Sequence, residues 1–124
     1  MQKQRPKHLD LGKIRLPVPG IVSILHRLSG VALFLALPIV IYLLQGSLSS
    51  AETFDTFRAV ISNPLVKLLL IGVLWAFLHH ACAGIRFLLL DMHKGLELAT
   101  ARATAKTVLA VSLTLTVILG VALW

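Results

Sequence analysis

Two adjacent histidines stand in the run Leu78-His79-His80-Ala81-Cys82-Ala83-Gly84-Ile85-Arg86-Phe87-Leu88-Leu89-Leu90-Asp91, with an arginine and an aspartate beyond them. The flanking residues are apolar enough for a membrane-crossing helix, where an ionisable group costs about 3 kcal/mol and so needs a partner or a task. At 3.6 residues per turn, His80, Gly84, Phe87 and Asp91 share one stripe. A metal-binding imidazole followed one turn later by a residue without a side chain suits a flat, bulky group laid on the helix. Haem has that shape. Neighbouring residues point about 100° apart, so His79 and His80 cannot hold one iron from the same side. Either is a ligand candidate, and a hydrogen bond to an adjacent helix accounts for either equally well.

A second constellation is Ser23, His26 and Arg27. Spacings of three and four place them on one helix face. A hydroxyl, an imidazole and a guanidinium at a membrane boundary suit a polar head with an apolar tail. A quinone is such a ligand, since its carbonyls need donors and its reduction needs protons. The plainer reading makes Arg27 a snorkelling anchor and Ser23 a helix cap. Arg86, six residues beyond His80, suits carboxylates such as haem propionates, or Asp91, or the headgroup region. Gly84 serves a helix contact as readily as a cofactor. A six-coordinate haem needs two axial ligands. His26 is expected near the interface, well above His80, so a histidine from another membrane subunit is the easier second ligand.

These residues need membrane helices to hold them. The chain has 124 residues, 57% hydrophobic and 14% charged, more apolar than a soluble domain of this length. Residues 1–20, broken by Pro6, Pro17, Pro19 and Gly20, read as an extended arm. Residues 21–124 read as a three-helix transmembrane domain with helices at about 22–45, 64–91 and 104–124. Pro38 is expected to kink the first helix mildly, and residues 46–64 to form a polar connector. The long basic segment before the first apolar run argues for a retained span rather than a signal peptide.

The net charge is +7. Lys3, Arg5, Lys7, Lys13, Arg15 and Arg27 precede the first apolar run, and Lys94, Arg102 and Lys106 lie between the second and third. Only Arg58 and Lys67 lie on the opposite side. This distribution places the amino terminus in the cytoplasm and the carboxyl terminus outside. The basic residues line no single soluble face, which argues against nucleic acid. Cys82 is the sole cysteine and is read as packing. No phosphate loop, dinucleotide fingerprint or nucleophile motif is present, so no self-contained catalytic machine is expected.

Arg5-Pro6 with Ser23-Ile24-Leu25-His26-Arg27-Leu28-Ser29-Gly30, and then His80-Ala81-Cys82-Ala83-Gly84-Ile85-Arg86-Phe87 ending in Asp91, together resemble the cytochrome b membrane-anchor subunits of succinate dehydrogenase. The likeness spans essentially the whole chain. It implies an all-α integral membrane fold in which three transmembrane helices pack with a second anchor subunit around haem b. The partners it implies are that anchor, which supplies the other axial histidine, an iron–sulfur subunit and a flavoprotein subunit. Electrons from succinate would reach ubiquinone near the membrane surface, with no catalytic activity in this chain alone. By motif match the resemblance assigns the haem iron to His80, the quinone pocket to Ser23 and Arg27, and the haem-propionate region to His26 and Arg86. Phe87 departs from the family pattern, which often has histidine there. The basic arm lacks an Arg- and Ser-rich transit pattern, so a bacterial inner membrane is expected. The related fumarate reductase anchor and a cofactor-free structural anchor are the other readings.

Overall fold

A computed structural model describes residues 10 and 12–124. Arg5-Pro6 and the basic residues Lys3 and Lys7 lie outside the described residues. Four helices follow in order: α1 (Val18–Ser49), α2 (Ala51–Ser62), α3 (Pro64–Asp91) and α4 (Leu98–Leu123). The described residues contain no strand.

Each boundary has a local cause. Pro17 is extended at the α1 N-cap, and Pro19 sits in the first turn, where its missing N–H costs no helical bond. Pro38 deprives the Phe34 carbonyl of its helical donor, yet the helix continues through it. Ser50 ends α1 and caps α2, its Oγ accepting from the Thr53 N–H at 3.1 Å. Thr53 Oγ1 accepts in turn from the Ser50 N–H at 3.0 Å, which completes a capping box. Asn63 repeats the device between α2 and α3, with Oδ1 accepting from the Leu65 N–H at 2.9 Å and Pro64 opening the helix. After α3 the chain reverses through two left-handed residues, His93 (φ 60°) and Gly95 (φ 75°).

The polar connector expected at 46–64 therefore contains a helix. Glu52, Asp55 and Arg58 gave that stretch its loop-like charge. Phe54, Phe57 and Ile61, spaced by three and four, gave it an apolar side as well.

α1, α3 and α4 are each long and apolar enough to cross a membrane. At 1.5 Å per residue their 32, 28 and 26 residues span roughly 40–48 Å, against a hydrocarbon core of about 30 Å. The chain is an all-α, multi-pass membrane protein, and its surface fits that medium. Phe34 is 76% exposed, and leucines, isoleucines and valines cover the outside of all three spans. Water would not tolerate such a patch, but lipid or another membrane helix covers it without cost. The interior is narrow and made of small residues: Val22 from α1, Ala76 and Ala83 from α3, Ala105 and Val108 from α4. Small residues let helix backbones approach, and packing rather than water exclusion then holds them. Buried hydroxyls look after themselves. Ser112 donates to the Leu109 carbonyl and Thr116 to the Ser112 carbonyl.

Candidate functional site: a histidine pair between α1 and α3

The start of α1, the end of α3 and the start of α4 share one end of the bundle. Val22 and Ala83 meet in the core there, and Arg86 reaches α4. Just inside this end, the rings of His26 and His80 lie stacked, with centroids 4.1 Å apart and planes 10° from parallel. His26 therefore sits level with His80, not well above it. The reason is the earlier start of α1 at Val18, which puts two turns of helix beneath His26. His80 lies 11 residues before the end of α3, a similar depth of roughly 16 Å.

The His80 ring is held by main chain and hydroxyl together. Its Nδ1 lies 3.0 Å from the His26 carbonyl oxygen and 3.0 Å from Ser29 Oγ. Ser29 Oγ donates its single proton to the same carbonyl at 2.8 Å. A carbonyl only accepts, and the hydroxyl proton is already committed. Nδ1 must therefore carry the hydrogen and Nε2 the lone pair. Nε2 makes no hydrogen bond among the described residues, and it is not among the buried unpartnered atoms. That is the tautomer and orientation a metal-binding imidazole needs.

His79 is arranged in the opposite way. It is fully buried, its two ring nitrogens are both enclosed, and its polar neighbour, the Val22 main chain, makes no well-aligned hydrogen bond to either. Trp75, one turn earlier, lies 5.2 Å away between centroids, with its Nε1 also enclosed and unpartnered.

The two glycines of the motifs divide the work between the rings. A Cβ at Gly30 would stand 3.1 Å from His80 Cε1, so Gly30 makes room for the His80 imidazole. A Cβ at Gly84 would meet His26 Nε2 at 3.7 Å. The flat group lying along the His80–Gly84–Phe87 stripe is, within this chain, the imidazole of His26. Phe87 closes it off edge-on, at 5.1 Å between centroids. Asp91 is exposed at the helix end.

Arg86 is turned elsewhere. It is buried, its Nε donating to Thr104 Oγ1 at 3.1 Å and its Nη2 to the Ala101 carbonyl at 3.0 Å. Six residues from His80 is about 120° around the helix, so Arg86 ties α3 to α4 while His80 faces α1. Asp91 is not its partner; the one ion pair among the described residues joins Lys13 to Asp10. Ser23 is half-buried and Arg27 exposed, both on α1 beside His26.

Below the pair, α1, α3 and the end of α4 flank an open apolar groove of about 620 Å³, lined by Leu33, Leu37, Val73, Phe77 and Trp124 among others. Among the described residues no three His, Cys, Asp or Glu side chains converge on one point. A metal held here must bring donor atoms of its own or take them from another chain.

Sequence reasoning assigned no task to Ser29, Gly30 or Thr104. Ser29 and Gly30 lay inside the first motif, three and four residues after His26. That spacing was the available signal.

The fold and the site define a membrane helix bundle with one oriented, accessible imidazole just inside its more basic end. The chain belongs to the family of succinate dehydrogenase/fumarate reductase transmembrane subunits, whose model matches residues 1–119. It is similar to the succinate dehydrogenase cytochrome b556 subunit of Coxiella burnetii, 39% identical over 125 residues and 100% of both chains. The subunits of that name from Paracoccus denitrificans and Rickettsia felis are 32% and 33% identical. They cover 92% and 95% of this chain, and 88% and 92% of their own.

Proposed function

We propose that this chain is the cytochrome b anchor of a succinate dehydrogenase. It holds haem b through His80 and forms part of a site that passes electrons to ubiquinone. The observation that carries the reading is the contact between His80 Nδ1 and the His26 carbonyl, which leaves Nε2 as the accessible lone pair. The residues present fit a haem. The motif glycines leave room for the imidazoles, the neighbouring groove is apolar, and a porphyrin supplies the donor atoms that the chain lacks. When bound, the haem supplies one-electron chemistry to the complex.

His26 does not serve as the second axial ligand in this reading. The His26 and His80 rings lie face to face, so the two imidazoles would not present their nitrogens to one metal ion from two sides. The second histidine comes from another membrane anchor, for which the exposed apolar flanks of α1 and α3 provide the surface. His26, stacked on His80, would lie beside a haem held there and could meet its propionates. Arg86, expected in that region, spends two donors on α4. Ser23, about one turn nearer the end than His26, and Arg27, the next residue after it, offer a hydroxyl and a cation to a quinone head, and Arg27 favours the reduced, proton-accepting oxygen. An iron–sulfur subunit and a flavoprotein subunit dock at this end and deliver the electrons from succinate.

The charge distribution supports an inner bacterial membrane with the amino terminus cytoplasmic. Lys13, Arg15, Arg27, Lys94, Arg102 and Lys106 gather at the histidine end, and Arg58 and Lys67 at the other. The matching family also covers fumarate reductase, so the physiological direction is read from the relatives' names rather than from geometry.

The test is purification of the complex and its absorption spectrum. A low-spin b-type spectrum is expected, lost in His80→Ala while the subunits still co-purify at least in part. An unchanged spectrum in that variant would overturn the assignment.

A further inference from the structure

Between α3 and α4 runs a groove of about 360 Å³, lined by Arg86 and Lys94 at its end and by Ile85, Leu89 and Val108 along its length. Leu89 is nine residues from His80, about 180° around α3, so the groove opens away from the histidine pair. We propose that it binds one anionic phospholipid, with the phosphate against Arg86 and Lys94 and an acyl chain along Ile85, Leu89 and Val108.

The first argument is charge. Arg86 is 6% exposed, yet its two hydrogen bonds go to a hydroxyl and a main-chain carbonyl, which are neutral. No carboxylate lies within ion-pair distance of it among the described residues. A cation this deeply withdrawn from water calls for an anion, and a guanidinium matches a phosphate well. Lys94 is brought to the same groove by the reversal after α3. His93 and Gly95 adopt left-handed backbone on either side of it, and its N–H is tied to the Leu89 carbonyl at 3.0 Å. Lys94 is itself exposed and stands at the open end of the groove. Neither Asp91 nor Glu97 lines the groove.

The second argument is the length and chemistry of the walls. Leu89 and Leu90 line the groove between the two cations, and below Arg86 it continues along Ile85 and Cys82 of α3 and Val108 of α4. Ile85 is 62% exposed and would face hydrocarbon. A free phosphate would leave those walls unused, and a zwitterionic headgroup would bring a cation of its own beside Arg86 and Lys94. Arg86 lies five residues before the end of α3, about 7 Å inside it, the level at which headgroups meet acyl chains. Basic pockets between transmembrane helices are recurrent sites for such headgroups.

The assembled complex, purified with all its subunits and stripped of lipid, is titrated with phosphatidylglycerol, phosphatidylcholine or inorganic phosphate, and retained molecules are counted by native mass spectrometry. One saturably bound phosphatidylglycerol per chain is expected, with phosphatidylcholine at least tenfold weaker and phosphate unable to displace it at equal concentration. Lys94→Gln should weaken the site about fivefold, and Ile85→Trp should remove one retained lipid by filling the acyl track. Should Ile85→Trp fail to assemble, Lys94→Gln, in an exposed turn, decides alone. The same lipid count and affinity in Lys94→Gln, equal retention of phosphatidylcholine, or displacement by phosphate would overturn the proposal. So would a cross-linker at position 94 that captures another subunit across the groove.

Discussion

His80 Nδ1 lies 3.0 Å from the main-chain carbonyl oxygen of His26, a residue 54 positions earlier in the sequence. The contact links α1 to α3 and at the same time selects the tautomer of the His80 ring. A main-chain acceptor is a dependable anchor because no substitution at position 26 removes it. The side chain at position 26 does something else, covering one face of the His80 ring. Ser29, back-bonded to the same carbonyl, adds a second contact to Nδ1 and fills what would otherwise be a gap beside a buried polar atom. Orientation of a ligand histidine by such partners typically changes metal affinity by about 10–100-fold.

The glycine beside each ring is the most sensitive place to perturb this arrangement. Gly30→Ala would bring a methyl to 3.1 Å from His80 Cε1, so ring or helix must shift. Gly84→Ala would meet His26 Nε2 at an ordinary 3.7 Å. Both changes gain up to about 1 kcal/mol of helix propensity. At position 30, overpacking of about 1–3 kcal/mol outweighs that gain. Gly30→Ala should lower haem occupancy and broaden or shift the b-type spectrum. Gly84→Ala should leave both near wild type. Haem content per complex, measured on the two variants side by side, checks the contrast.

The quinone assignment separates from the rest of the electron path by choice of acceptor. Ser23→Ala and Arg27→Leu remove a hydroxyl and a cation from α1 on either side of His26 without touching the core, since Arg27 is exposed and Ser23 half-buried. Ubiquinone reduction should fall about tenfold or more with Arg27→Leu, the loss expected when a charged hydrogen-bond donor is removed from a bound oxygen. Succinate oxidation with a water-soluble artificial acceptor should persist. Equal loss of both activities would instead indicate failed docking of the soluble subunits.

Much of this was legible in the sequence, for identifiable reasons. Three spans followed from apolar runs far longer than any soluble helix needs. The stripe His80–Gly84–Phe87 was legible because helical periodicity is fixed, and the structure does place all three around one flat ring. The owner of that ring within the chain was not legible, because periodicity says nothing about which helix lies opposite or at what height. His26 was placed too shallow for that reason: its depth depends on where α1 begins, and prolines at 17 and 19 allow a start on either side. Arg86 was read along its own helix, toward Asp91 or a cofactor. Its actual acceptors, Ala101 and Thr104, lie across a turn on α4. The helix α2 was hidden by three charges in twelve residues, although its capping box was written in Ser50 and Thr53.

The two bonds from Arg86 to α4 should register in stability rather than in the haem. Lysine at position 86 keeps the charge but cannot present Nε and Nη2 to two acceptors at once. Arg86→Lys is expected to cost about 1–2 kcal/mol and Thr104→Val about 1 kcal/mol. The pair together should cost less than the sum, because both lose the same contact. Thermal unfolding of the purified complex measures this, with the b-type spectrum below the transition unchanged. A spectral change in Arg86→Lys as large as that in His80→Ala would place the guanidinium at the haem after all.

His79 and His80 differ by one position and should differ completely on substitution. His79 is fully buried, with no well-aligned hydrogen bond to either ring nitrogen and the Val22 main chain nearby, so its polarity brings the bundle little stabilisation within this chain. Replacing an unsatisfied buried polar group with an apolar one of similar shape removes a penalty of about 1–3 kcal/mol. His79→Leu should therefore keep the haem spectrum and leave thermal stability equal or higher. His80→Leu should abolish the spectrum, because it deletes the imidazole whose tautomer the His26 carbonyl fixes and whose Nε2 is left accessible. The two variants, prepared identically and compared by pyridine haemochrome content and thermal melt, assign the ligand by difference. Loss of haem in His79→Leu with retention in His80→Leu would reverse it.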